Sequence, residues 1–396
     1  MADEARRWSA ARALGVVVVS AGVVVAVAVA LPVLGALIPA LPFFGVLGPQ
    51  LVGRWAFRFV LLGIVLASVA AVGWWLRVRR AASALGGAAL IALAGSLVVL
   101  GGQLSFAHER GVPVGFADVL GAATPTAPPD RTEVFAEVGG HELRASVWSP
   151  PRAGAARPAV VWVHGGGFSA GSRFEQRALY RYLADRGYPV ISIDYRLAPP
   201  PRWRDATSDV VCALSWITEH AAELGVDPSR LVLSGGSAGG GLAINAGYAL
   251  AARDDVGGCG GVRPAPPIAV AGFYPAVDLA GAYADAGLGG YGRRTAVAYL
   301  GGSPERFPER YVHASAVARV RPGLMPTLLV TGVDDHLILE KRVRGFADRL
   351  RAEGDVVDYV AVPFGDHAFD SRFHTTGGAV SRAELLRFLR AHVPPG

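Results

Sequence analysis

Residues 13–53, 59–76 and 81–107 contain no charged side chain. Within the first of these, 14–31 is an unbroken run of apolar and small residues. Such a run rises roughly 27 Å as a helix, close to the thickness of a bilayer core. Lipid offers no partner to free backbone groups, so these runs are predicted to be helices. Three of them within 107 residues do not fit a soluble core. They predict an all-α transmembrane region over 1–107, with spans at about 14–34, 57–76 and 82–104. A cleaved leader fits the basic start, but the first run is too long and two more follow. The stretch 32–53 is apolar, yet Pro32, Pro39, Pro42 and Pro49 interrupt it. It reads as a loop or re-entrant segment rather than a fourth span.

The charge distribution bears on orientation. The 396 residues carry a formal net charge of +6, and the mean hydropathy is +0.36. Residues 1–107 hold eight arginines and two acids, so they account for the whole +6, and residues 108–396 net zero. A main domain that binds nucleic acid is therefore not expected. With three spans, Arg6, Arg7, Arg12, Arg77, Arg79 and Arg80 fall on one side, and Arg54 and Arg58 on the other. The positive-inside rule places the N-terminus in the cytoplasm and everything after the third span outside the membrane. A fourth span would reverse that placement. Trp55, Trp74 and Trp75 lie at span ends, where interfacial aromatics belong.

Residues 121–130 (GAATPTAPPD) are small, polar and Pro-rich, and 108–130 reads as a linker. The remainder, 131–396, reads as one domain. Apolar β-branched runs at 134–138, 143–148, 159–163, 190–193, 231–234, 268–272, 327–331 and 357–362 are predicted strands. Helical patterns fit 174–186, 203–224, 238–252, 340–353 and 382–392. Continuous apolar strands separated by helices predict a mostly parallel α/β sheet covered on both faces. Gly139-Gly140 marks the first two strands as an antiparallel hairpin. Residues 257–267 read as a Gly/Pro-rich surface loop. Cys212 and Cys259 are too few for a disulfide framework and have no metal-ligand spacing; an exported domain would allow them to pair.

Chemistry is expected at the strand ends. Gly235-Gly236-Ser237-Ala238-Gly239 follows the strand LVLS and opens a helix, a turn that presents a serine oxygen above the sheet. His164-Gly165-Gly166-Gly167 follows the strand AVVWV, and its glycines allow backbone N–H groups to approach an oxyanion. A later strand, TLLVTG, leads to Asp334 and Asp335, of which Asp335 is favoured as an orienting acid; either reads otherwise as a turn aspartate. The final strand leads to His367, the favoured base, with His374 in reserve. The order Ser237, Asp335, His367, each after a predicted strand, lifts these three above isolated polar residues.

HGGGF at 164–168, DYRLAP at 194–199, DPSRLVLSGGSAGG at 227–240, PTLLVTG at 326–332 and DHAF at 366–369 together resemble the bacterial esterase/lipase group of α/β hydrolases, which includes the hormone-sensitive-lipase-like enzymes. The resemblance covers about 131–396 and leaves out the membrane region. It implies an eight-stranded α/β-hydrolase fold and an oxyanion hole formed by Gly166, Gly167 and Ala238. Gly236 replaces the Asp usual before the nucleophile, and PPRWRDA follows DYRLAP. Both features look closer to feruloyl- or acetyl-esterase-like branches. The expectation is a membrane-anchored serine hydrolase acting on small carboxylic esters, in contact with bilayer lipid, without metal or organic cofactor. A serine peptidase or amidase on the same fold, or a non-catalytic membrane sensor, is the alternative. The stretch 274–320, with Tyr283, Tyr291, Tyr299, Phe307 and Tyr311, is a candidate cap over an acyl pocket.

Overall fold

A computed structural model describes residues 2–124, 127–152, 154–285 and 288–395. The chain divides into two compact units, Met1–Ala122 with Pro363–Ala379, and Ala123–Val362 with Val380–Gly396.

The first unit contains three long helices, α1 (Ala2–Leu37), α2 (Phe44–Trp75) and α3 (Arg79–Glu109), each long and apolar enough to cross a membrane. Both faces of these helices are apolar. Val19, Ala26, Leu66, Ala70, Leu85 and Ala89 pack inward, while Val17, Val24, Ile64, Val65, Leu90 and Val98 are exposed. A helix that is hydrophobic all round suits a membrane span or the core of a large protein. Small residues set the approach: a Cβ on Gly22 would lie 3.0 Å from Leu85, and one on Gly63 would lie 3.0 Å from Leu93. Two buried polar side chains bond to backbone carbonyls, with Ser96 Oγ donating to Ala92 O (2.7 Å) and Gln103 Nε2 donating to Gly53 O (2.6 Å).

The Pro-rich stretch is more helical than its sequence predicts. α1 runs through Pro32 to Leu37, a short turn carries Pro39 and Pro42, and α2 starts at Phe44 with Pro49 inside it. One missing N–H costs a long helix a single bond, and only the prolines at the turn end an element. α2 is kinked at Trp55 (φ −126°, ψ 29°). Within the expected linker, α4 (Phe116–Leu120) forms a short helix, and Arg58 Nη2 donates to Gly121 O (2.6 Å) at its end. Positions 125 and 126 of that linker lie outside the described residues.

The second unit is an eight-stranded α/β sheet built from β1 (Arg131–Val138), β2 (His141–Trp148), β3 (Arg157–Val163), β4 (Val190–Ile193), β5 (Val226–Gly236), β6 (Ala269–Phe273), β7 (Thr327–Gly332) and β8 (Val357–Val362). Their spatial order is β1-β2-β4-β3-β5-β6-β7-β8. β1–β2 and β2–β4 are antiparallel and every other pair is parallel. The sheet is flanked by helices: α5 (Arg177–Ala184), α6 (Asp205–Glu219), α7 (Ala221–Leu224), α8 (Ser237–Ala252), α12 (Glu340–Ala352) and the greater part of α13 (Thr376–His392). Between β6 and β7 lie α9 (Leu279–Asp285), α10 (Tyr291–Leu300) and α11 (Pro308–Ala314). Val163 pairs with Gly235, Gly235 with Gly272, and Gly272 with Leu329, so the carboxyl ends of the central strands are in step. Strand order reverses between β3 and β5, the crevice where open α/β sheets bind ligands.

The loop at 257–267 is tied down by a disulfide between Cys259 and Cys212 of α6 (Cα–Cα 5.2 Å). It closes a loop of 47 residues. Cys259→Ser is expected to lower the stability of this unit by about 2–4 kcal/mol. Thermal unfolding in detergent, with and without reductant, checks this: reductant should lower the wild-type midpoint and leave that of the variant unchanged.

Candidate active site

β5 ends at Gly236 and α8 begins at Ser237, whose φ of +54° holds it in the left-handed region. A non-glycine residue pays for that conformation and keeps it only where the surroundings enforce it. The enforcement is visible. A Cβ on Gly235 or Gly239 would collide with Val163 O at the end of β3, so the turn packs directly on the neighbouring backbone. Ala276 N donates to Ser237 O (3.1 Å) from the β6 side. At Gly236, a Cβ would sit 3.3 Å from the Tyr274 ring, so the space beside the serine is filled by an aromatic.

The loop after β3 has two consecutive left-handed glycines, Gly166 (φ +111°) and Gly167 (φ +60°). A side chain at Gly166 would strike Ala170 O, and one at Gly167 would meet Tyr291 Oη of α10. His164 opens this loop as a brace. Its ring stacks on Tyr195 (4.4 Å), and its Nδ1 lies 2.7 Å from Gly165 O. The carbonyl only accepts, so Nδ1 carries the proton. Tyr195 Oη donates to His164 O (3.1 Å). Burial pushes the His164 imidazole below its usual 6.5 and keeps it neutral.

Gly167, Ser237 and Ala238 line one cavity. Its other walls are mostly apolar, with Leu279 of α9 and Ala296 of α10 from the insertion and Leu337 and Ile338 from the loop after β7, and Tyr291 and Thr295 of α10 add hydroxyl groups. That last loop contains Asp335, which is 3% exposed. Its Oδ1 accepts the N–H groups of Leu337 (2.9 Å) and Ile338 (2.8 Å), which fixes the carboxylate. Asp334 is half-buried. His367 is 9% exposed and lies in Pro363–Ala379, the segment that belongs to the helical unit. Its N–H donates to Asp366 Oδ1 (2.6 Å). His374 is engaged elsewhere, with Nδ1 3.1 Å from Asp118 Oδ1.

Sequence reasoning left the supporting residues of DYRLAP without roles. Asp209 of α6, fully buried, accepts from Arg196 N (2.9 Å), Nε (3.0 Å) and Nη2 (2.7 Å). Arg173 Nη1 pairs with Asp194 (2.6 Å). These charge-assisted bonds fix the segment that carries Tyr195, and through it His164. Phe168 stacks on Tyr299 of α10 (3.9 Å), joining the glycine loop to the insertion.

A model of the BD-FAE family matches residues 146–350. The chain belongs to the BD-FAE family. The BD-FAE region includes the glycine loop, the Ser237 elbow and Asp335; His367 follows it. The chain is 34% identical over 255 residues to the carboxylic ester hydrolase LipN of Mycobacterium tuberculosis, covering 61% of this chain and 65% of that protein. It is 37% identical over 142 residues to an ethyl acetate hydrolase of Pseudomonas putida, covering 35% and 42%. The chain thus spans less than two thirds of these relatives. Among solved structures, the apo form of Thermogutta terrifontis esterase 2 is similar at 26% identity and a TM-score of 0.55, over 67% of this chain and 96% of that one.

The lowered His164 pKa has a stability consequence. In the folded BD-FAE domain the imidazole binds its proton less readily than in the unfolded chain. Its contribution is therefore full above pH 6.5 and is lost as the pH falls from 6.5 toward the lower folded value. Thermal unfolding of wild type and His164→Asn at pH 7 and pH 5 checks the sign. The variant is expected to be less stable at pH 7 and to lose less on acidification.

Proposed function

We propose that the protein is a membrane-anchored serine hydrolase that cleaves carboxylic esters through Ser237, His367 and Asp335. The observation that carries the reading is Ser237 on a strained strand-to-helix turn, lining the same apolar cavity as Gly167 and Ala238. The ester-hydrolysing relatives support the same chemistry. Ser237 Oγ attacks the ester carbonyl while His367 takes its proton, and Asp335 orients and stabilises the imidazolium. The N–H groups of Gly166, Gly167 and Ala238 receive the oxyanion; each such donor is worth roughly 3–4 kcal/mol. The proton passes to the leaving alkoxide, giving the alcohol and an acyl-enzyme. Water, deprotonated by His367, then releases the acid and restores Ser237. The apolar walls suit the acyl group, with α9 and α10 as part of its cap.

The anchor reading rests on the three apolar helices and on their arginines. It puts the N-terminus in the cytoplasm and the catalytic domain outside. The Cys212–Cys259 bridge supports that side, because thiols stay reduced in the cytosol.

A fluorophosphonate probe is expected to label the full-length protein, and Ser237→Ala to abolish both labelling and ester turnover. Persistent labelling of that variant would rule out Ser237. Asp335→Asn should retain the fold and lower kcat by about 10⁴-fold, as loss of the orienting carboxylate does in triad enzymes. Rates on parallel ester and amide substrates separate an esterase from an amidase. For sidedness, a phosphatase that needs export, fused after Gly396, should be active; a silent fusion of normal abundance would reverse the orientation.

A further inference from the structure

The segment Pro363–Ala379 leaves β8, carries His367 and then enters α13, yet its packing belongs to the helical unit. Phe364 lies against the cluster of Val33, Ala36, Val52, Ala56 and Val99 from α1, α2 and α3. Its ring would be 2.7 Å from a Cβ on Gly102, and its carbonyl would collide with a Cβ on Gly53. Arg54, next to the α2 kink, donates from Nη2 to Ala368 O (2.9 Å). His374 and Asp118 close the far end (3.1 Å). Phe364 (φ +56°) and Ala368 (φ +55°) are both in the left-handed region, so the turn around His367 needs outside contacts to hold its shape.

We propose that Arg54 is a positioning residue for His367: its guanidinium fixes the Ala368 peptide, so the membrane bundle acts as a mount for the catalytic base. This rests on the reading of His367 as that base. A guanidinium bonded to a carbonyl is a strong, directional tether. Ala368 directly follows His367, so the tether leaves one peptide of freedom between the helix and the imidazole-bearing residue. Gly53 makes the approach possible, because any larger residue there would push the Phe364 carbonyl off α2. The three helices then have a role beyond attachment.

The test uses the full chain in lipid nanodiscs, with wild type, Arg54→Gln, Arg54→Lys, Gly53→Ala, Arg58→Gln and His367→Ala. Readouts are kcat and KM on a chromogenic short-chain ester, the pH profile of kcat/KM, the fluorophosphonate labelling rate and the melting temperature. A misplacement of about 1 Å costs on the order of 10²-fold in rate. Arg54→Gln is therefore expected to lower kcat and labelling by roughly 10–100-fold, with KM within about two-fold. It should also move the acid limb of the pH profile, which a purely structural role would not do. Arg54→Lys should recover part of the loss. Gly53→Ala should lower kcat in the same way, by pushing the Phe364 carbonyl off α2, and carries the test if Arg54→Gln does not fold. Arg58→Gln removes a charge from the same helix without touching the His367 segment and should leave kcat unchanged. If Arg54→Gln and Gly53→Ala both keep kcat within about two-fold while His367→Ala is inactive, the positioning role is wrong and the triad stands. If His367→Ala itself retains kcat, the triad reading fails, and the role of Arg54 with it.

Discussion

The contact between the Ser237 turn and the end of β3 sets the geometry of the site. Gly235 and Gly239 bring α8 against Val163 O with no room for a side chain. That approach forces the left-handed backbone at Ser237 and puts the first N–H groups of α8 beside the glycine loop that continues from Val163. The β3–β5 register, with Val163 opposite Gly235, carries the same constraint into the sheet. A side chain at either glycine would move the helix, and Ser237, Ala238 and Gly167 would no longer line one cavity. The cost of the strained serine is offset by the buried apolar strands beneath it.

Around this contact, polar side chains work as braces. His164 is the clearest case. It opens the glycine loop and is a histidine near Ser237, yet burial lowers its pKa, and the Tyr195 stack and the bond to Gly165 O give it a holding role. Tyr195 is in turn held by its neighbours in DYRLAP, where Asp209 takes up both the backbone and the guanidinium of Arg196. A buried carboxylate with that many donors is costly to disturb and leaves the segment little freedom.

The sheet was legible because its strands are short apolar runs bounded by glycine, proline or charge, and β4 and β8 fall where the pattern places them. The elbow and the glycine loop were legible because only glycine fits their backbone. The Pro-rich stretch was harder, since a proline inside a helix and one in a turn look alike in a sequence; whether flanking bonds survive depends on the packing of α1 against α2. The role of Arg54 was hidden for another reason. It reads as one of two arginines at a membrane edge, and its acceptor, Ala368 O, is 314 positions away. Nothing local marks a backbone carbonyl as a partner. The same holds for Phe364, which reads as the start of a catalytic turn and packs as a member of a helix cluster.

Two signals that bear on sidedness are independent in origin. On the proposed membrane-anchor reading, the arginine asymmetry acts while the helices insert, through the unequal cost of moving positive charge across the bilayer. The Cys212–Cys259 bridge depends on the redox state of the compartment where the folded domain resides. One is confined to the first 107 residues, and the other lies wholly within the sheet domain. Both agree with the proposed export of the sheet domain. On the proposed ester-cleaving reading, Leu279, Ala296, Leu337 and Ile338 suit the apolar part of a substrate, while Tyr291 and Thr295 add hydroxyl groups to the same lining.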